Sequence, residues 1–213
     1  MTTQPTHHTE PKPTTLREQR KAERRSQLLS AAASLFAARG FASVRLEDLG
    51  SAAGVSGPAV YRHFPNKEAV LVELLVDISE YLLGGGRDVV ARHTAADVVT
   101  NRIILAELID FHIDFALGSP ALIRIQDRDL YNAPESAQRR IRRMQREYVE
   151  LWVSSLCAAE PRTSESDART KAHAVFGLIN STPYSAGNTP SKNTKSLLRV
   201  MAMGSLGLST AER

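Results

Sequence analysis

Cysteine is almost missing from this chain of 213 residues: Cys157 is the one thiol, so no internal disulfide can form and no cysteine cluster can hold a metal. Such usage suits a reducing compartment. No apolar run approaches the roughly 18 residues that a membrane span requires. The first residues lack the apolar core of a secretory signal, so a soluble cytoplasmic protein with no membrane partner is expected. Chemical signatures are missing too. There is no HExxH, no GxSxG and no complete phosphate loop, and Cys157 falls in an apparent packing helix without an evident base. An enzyme with the N-terminal helices as a tether therefore fares badly, and neither a cofactor nor a metal is expected. Beyond Lys67 no alternating strand pattern and no internal repeat interrupts the helical spacing, which leaves an all-α fold.

Charge is distributed unevenly. Residues 1–67 hold ten Lys or Arg against five Asp or Glu, net +5, whereas the remainder holds seventeen against eighteen, net −1. A basic excess confined to one end is the electrostatic footprint of a nucleic-acid partner. The first sixteen residues, MTTQPTHHTEPKPTTL, are rich in Thr and Pro and are expected to be a disordered tail, with His7 and His8 as tail residues rather than ligands. Arg17, Arg20, Lys21, Arg24 and Arg25 follow. They either lie against a DNA backbone or minor groove, or form an exposed helical face with Glu18 and Glu23 as local partners.

The most informative stretch is Gly54 to Lys67, GVSGPAVYRHFPNK. Gly54 gives the freedom that a tight turn between helices needs, Ser56 is a suitable N-cap, and Pro58 falls in a first turn where a missing N–H costs nothing. Val60 and Phe64, four apart, share a buried side. Ser56, Gly57, Pro58, Tyr61, Arg62 and His63 then point outward. Pro65 stops the short helix through Phe64, and Asn66 caps the next one. Lys67 is anomalous, because a cation in a first helical turn opposes the macrodipole. A phosphate held at the helix start would explain it, and Tyr61 and His63 can donate to phosphate oxygens nearby. The plainer alternative is a solvated lysine partly balanced by Glu68.

Three segments in order, RSQLLSAAASLFAARGF, VRLEDLGSAAGVS and AVYRHFPNKEAVL, make the chain resemble the TetR family of bacterial transcriptional regulators over about fifty residues, from near Gln19 through Lys67. The spacing of Leu28, Leu29, Ala32, Leu35 and Phe36, closed by Gly40, and of Leu46, Leu49 and Ala53 independently predicts the first two helices of a small three-helix core. The resemblance implies a helix-turn-helix DNA-binding domain over residues 17–66. A connecting helix would join it to a helical ligand-binding and dimerisation domain over residues 67–213. It also implies a homodimer on double-stranded operator DNA, released by a small-molecule effector. Paired half-sites favour a dimer on physical grounds as well. Two departures bear on specificity. Arg45 stands where relatives carry a capping Thr or Ser and is assigned to DNA. Gly57 and Pro58 replace Lys and Gly, so readout would rest on thymine methyls and DNA shape.

Downstream, Val70, Leu71, Leu74, Leu75, Ile78 and Leu82 predict a helix, the connecting helix that the resemblance implies, ending at Gly84 to Gly86, which are expected to be a hinge or a disordered connector. Further helices are expected over 95–117, 120–131, 134–159, 164–181 and 191–208. Arg139, Arg140, Arg142, Arg143 and Arg146 crowd the third of these; a solvated face is the default, an anionic headgroup or DNA the alternative. The small and apolar stripes of the last two helices suit either a dimer interface or one domain's core. Candidate effector contacts are Phe111, His112, Phe115, Arg124, Arg128, Tyr148, Trp152 and Phe176. His112, on an apolar helix face, reads as a hydrogen-bonded core residue rather than a metal ligand. Arg124 and Arg128 can bind a carboxylate or phosphate, which would suit an acyl-CoA or other lipid-derived acid, or can pair with Asp127 and Asp129. An architectural DNA-binding protein with no ligand is the other reading the residues permit.

Overall fold

The computed structural model describes residues 15–185 and 193–208. The tail expected at the N-terminus lies outside the described residues through residue 14, as do His7, His8 and the start expected at 191 for the last helix. Leu16 begins the first helix instead, with Thr15 as its N-cap. Thr15 and Glu18 form a reciprocal cap: Thr15 Oγ1 accepts from the Glu18 N–H at 3.3 Å, and Glu18 Oε2 accepts from the Thr15 N–H at 2.8 Å.

Helix α1 (Leu16–Arg39) is followed by α2 (Leu46–Ala52), α3 (Gly57–Tyr61), α4 (Lys67–Ala91), α5 (Val98–Gly118), α6 (Pro120–Asp129), α7 (Glu135–Ala159), α8 (Glu165–Asn180), the single turn α9 (Thr182–Ser185) and α10 (Thr194–Leu206). A 3₁₀ turn, Leu130–Asn132, joins α6 to α7. No strand occurs among the described residues. Leu28, Ala32 and Phe36 of α1 bury against Leu46 and Leu49 of α2 and Val60 of α3, with Phe64 closing the group. Gly54 turns the chain between α2 and α3 at φ 64°. From Val70 of α4 onward the same apolar core continues without a break into α5 and α7. α4 packs on α5 and α7, α7 on α8, α10 on α8 and α5, and α1 on α6.

The triple glycine corrects an expectation. Gly84, Gly85 and Gly86 do not end α4 or form a hinge; they lie inside it, and the helix runs on to Ala91. A Cβ at Gly85 would sit 2.2 Å from Phe111 Cζ, and one at Gly86 would sit 2.7 Å from Tyr148 Cε2 and 3.0 Å from Leu151 Cδ1. Two of the glycines therefore admit aromatic rings onto the helix backbone, and packing outweighs their poor helix propensity. The arginines of α7 occupy a solvated face. Arg139 pairs with Glu135, Arg140 reaches Glu80 on α4, Arg143 stands 4.0 Å from Glu147, and Arg142 lies 5.3 Å over the Tyr131 ring.

Candidate nucleic-acid interface and internal cavity

Helix α3 is only five residues long, so its rigidity is borrowed from neighbours. Ser56 occupies the N-cap position, but its side chain makes no capping bond; its carbonyl accepts from Ala59 and Val60 instead. Arg25 of α1 ties the segment down. Its guanidinium pairs with Glu73 of α4, donates to the His63 carbonyl at 2.5 Å, and stacks 4.1 Å from the Phe64 ring centroid. One member of the N-terminal basic run is thus committed to the fold. Arg20, Lys21 and Arg24 stay with His63 around a surface groove beside α3.

With α3 held from below, Arg45, Ser56, Pro58, Tyr61 and Arg62 are exposed, while Gly57 and His63 are half-buried. Arg45 occupies the N-cap of α2; its backbone N–H is accepted by Asp48 Oδ2 at 2.8 Å, which leaves its side chain in solvent. The Tyr61 hydroxyl donates to Glu47 Oε1 at 3.0 Å, and that bond, with the carboxylate's charge, raises its pKa. Glu47 is a neighbour that helical spacing alone did not single out. Burial pushes the His63 imidazole below its usual range, and the cations Arg25, Lys21, Arg24 and Arg62 reinforce the shift.

Lys67 requires a correction in its rationale. Its ammonium donates to the carbonyls of Phe41, Ala42 and Val44 at 2.9, 3.3 and 3.1 Å and lies 4.4 Å over the Phe41 ring. The cation at the start of α4 is accounted for by the loop between α1 and α2, whose carbonyls it gathers, and no phosphate is needed to explain it.

A cavity of about 200 Å³ opens between α4, α5, α6, α7 and α8. It brings together four of the residues singled out in sequence, His112, Phe115, Tyr148 and Phe176, and adds Gln126, Gln145 and Asn180, which no apolar periodicity could have flagged. Trp152 stands behind this wall, its ring 4.9 Å from that of Phe176. Phe111, Arg124 and Arg128 do not belong to it. Phe111 packs on Gly85 and on Tyr81, 5.4 Å between ring centroids. Arg124 donates to the Pro183 carbonyl. Arg128 pairs with Asp129 at 3.0 Å and donates to the Phe36 carbonyl, at the end of α1. The acidic headgroup inferred from the two arginines therefore loses its basis, because both guanidiniums serve structural carbonyls.

His112 is a buried core histidine. Its Nδ1 is 3.2 Å from the Tyr148 hydroxyl and its Nε2 is 3.1 Å from Asn180 Oδ1. Desolvation lowers its pKa to about 4, against the opposing effect of Asn180, and burial drives the Tyr148 phenol well above its ordinary value. An unfolded chain binds a proton at this residue near pH 6.5 and the folded chain does not, so stability is complete above that pH and is lost as the pH falls towards about 4. Thermal denaturation between pH 7 and pH 4.5 checks this: the melting temperature of the parent should fall more steeply than that of His112→Gln.

The model for "Bacterial regulatory proteins, tetR family" matches residues 28–74. The "HTH-type transcriptional repressor KstR2" of Rhodococcus jostii (strain RHA1) is 29% identical over 137 residues, 64% of this chain and 65% of that relative, so just under two thirds of the relative's length is spanned. Among solved structures, a TetR-family regulator from Bordetella parapertussis 12822 superposes with a TM-score of 0.75 at 22% identity, covering 88% of this chain and 98% of that one. The ketosteroid transcriptional regulator KstR2 of Mycobacterium tuberculosis superposes with a TM-score of 0.73 at 21% identity, covering 89% and 96%. These two likenesses carry the fold. No helix among the described residues is long and apolar enough to cross a membrane, and they contain no cluster of metal-ligating side chains. Residues 28–74 thus match the tetR family of bacterial regulatory proteins, and the chain as a whole has the fold of the TetR-family regulators it superposes on.

Proposed function

We propose that the protein is a transcriptional repressor that binds a near-palindromic operator as a homodimer and releases it when a small molecule fills the internal cavity. The observation that carries this reading is the exposed set Ser56, Pro58, Tyr61 and Arg62 on and around the short helix α3, with Arg45 at the N-cap of α2, all fixed by a three-helix core. Residues 17–66 would form the DNA-binding domain and 67–213 the regulatory one. Arg45, Ser56, Gly57, Pro58, Tyr61, Arg62 and His63 supply the DNA face, with Lys67 supporting it from within. The relative named KstR2 is a repressor, and the same role is proposed for this chain.

Dimerisation through α8 and α10 is supported by a stripe on α10, where Leu197, Val200 and Met201 are 60%, 67% and 44% exposed and Gly204 continues the same face. On α8 the exposed Ala174 and Gly177 offer a surface suited to close approach of another helix. Selection of bound sequences from random duplexes, with sedimentation of the free protein, tests the whole reading. A two-fold symmetric site, a mass of two chains and affinity that falls steeply with salt are expected. A monomer, or binding indifferent to sequence, would overturn it.

For release, α6 is the physical link. It lines the cavity with Ile123 and Gln126 and carries Arg128 in its last turn, whose guanidinium shares the Phe36 carbonyl with the Gly40 N–H at the last turn of α1. A ligand that favours one position of α6 then biases the attitude of α1. Arg128→Ala should raise the hydrogen-exchange rate of the amides around Phe36 to Gly40 by about tenfold, a local opening easier by ~1.4 kcal/mol, while α7 exchanges as before.

A further inference from the structure

Among the described residues, no Lys, Arg, Asp or Glu lines the cavity between α4 and α8. Its polar groups divide into those already engaged and those that are free. Ser79 donates to the Leu75 carbonyl at 2.8 Å. Asn180 Oδ1 can only accept, so His112 carries its proton on Nε2, and Nδ1 accepts from the Tyr148 hydroxyl. Both ring nitrogens are thereby occupied and the ring is neutral, so His112 offers no counter-ion. Gln126 on α6 and Gln145 on α7 are different: both are half-buried in the lining, and neither side chain hydrogen-bonds any other described residue. Each presents one carbonyl acceptor and two N–H donors to an otherwise apolar and aromatic space. His173, at the rim, is exposed to water, which screens any charge it carries.

We propose that this cavity takes an uncharged, largely apolar molecule whose carbonyl or hydroxyl group is held by the carboxamides of Gln126 and Gln145, and that it rejects carboxylates. The inference rests on reading the cavity as the effector site. Apolar walls remove water from the ligand body, and a carboxylate that entered would lose its hydration with no cation to replace it. A neutral carbonyl loses far less and recovers it from two amide donors.

Three probes with one bicyclic body and different heads test this: 2-acetonaphthone, naphthalene-2-carboxamide and naphthalene-2-carboxylate. Trp152, the only tryptophan in the chain, stands against Phe176 of the lining and reports occupancy by its fluorescence. Calorimetry on the full chain gives the affinities. The ketone and the amide should bind at least about tenfold more tightly than the carboxylate. Gln126→Leu and Gln145→Leu should each weaken the amide by about fivefold with the melting temperature held, and Gln145→Arg should raise carboxylate affinity by about tenfold. Carboxylate binding as tight as amide binding in the parent, neutral-probe affinities that ignore both leucine variants, or no neutral probe bound up to its solubility limit would each overturn the proposal. Operator binding measured without any probe separates such a failure from failure of the repressor reading, which stands or falls on the DNA alone.

Discussion

Lys67→Ala is expected to lower the unfolding free energy by about 3 kcal/mol, a loss at the upper end for a single charged hydrogen-bonding group. Three carbonyls of the loop joining α1 to α2 would lose their shared donor, and the Phe41 ring its cation. Chemical denaturation should show a lower midpoint with an unchanged slope, because the same surface is still exposed on unfolding. The salt dependence of operator binding distinguishes this role from a phosphate contact. Loss of one phosphate contact reduces the slope of log K against log salt by about 0.9, whereas loss of a loop anchor leaves it intact once the folded fraction is taken into account. An unchanged slope is expected. Lys67→Met, which keeps the stem and removes the charge, should behave like the alanine variant.

The glycines of α4 give the second large effect, and it has two signs. Gly84→Ala should stabilise the protein by about 1 kcal/mol, since no atom beyond the helix's own backbone lies within 4 Å of the added methyl and alanine is the better helix former. For a chain of this size that is a rise of roughly 3 °C in melting temperature. Gly86→Ala should instead destabilise by about 2 kcal/mol, because the buried Tyr148 ring is fixed by His112 and cannot retreat from a Cβ 2.7 Å away. At Gly85 the contact would be shorter, 2.2 Å to Phe111 Cζ, yet Phe111 is only half-buried and can swing outward, so Gly85→Ala should come out near neutral. Thermal melts of the three variants in the order 84 above 85 above 86 are the expected result. If Gly86→Ala were as stable as the parent, tight seating of Tyr148 on α4 would be wrong.

Much of the helical framework could be read from spacing alone. The expected helices at 120–131, 134–159 and 164–181 fall within a few residues of α6 with its 3₁₀ turn, α7 and α8, because apolar stripes and prolines mark them locally. Gly84 to Gly86 misled for a clear reason: a run of glycine signals a break when only propensity is considered, and the rings that need the space come from residues 111 and 148, far away in sequence. The same distance hid the duties of Arg25, Lys67, Arg124 and Arg128. Each ends on a carbonyl or a carboxylate that no local pattern announces. In the cavity, His112, Phe115, Tyr148 and Phe176 are visible as a mixed apolar and polar set on inward helix faces, whereas Gln126 and Gln145 look like ordinary surface glutamines until the helices are assembled.

The way α3 is anchored bears on how such a regulator can change its targets. Arg25, Glu73, Val60, Phe64 and Lys67 carry the mechanical burden, and none of them belongs to the solvent-facing set Ser56, Pro58, Tyr61 and Arg62. Substitutions among those four meet little penalty in folding, so, on the DNA-reading role proposed above, a lineage can explore new operator sequences by altering them while the scaffold beneath stays put. The face proposed for recognition and the residues that hold it in place are separate letters of the sequence.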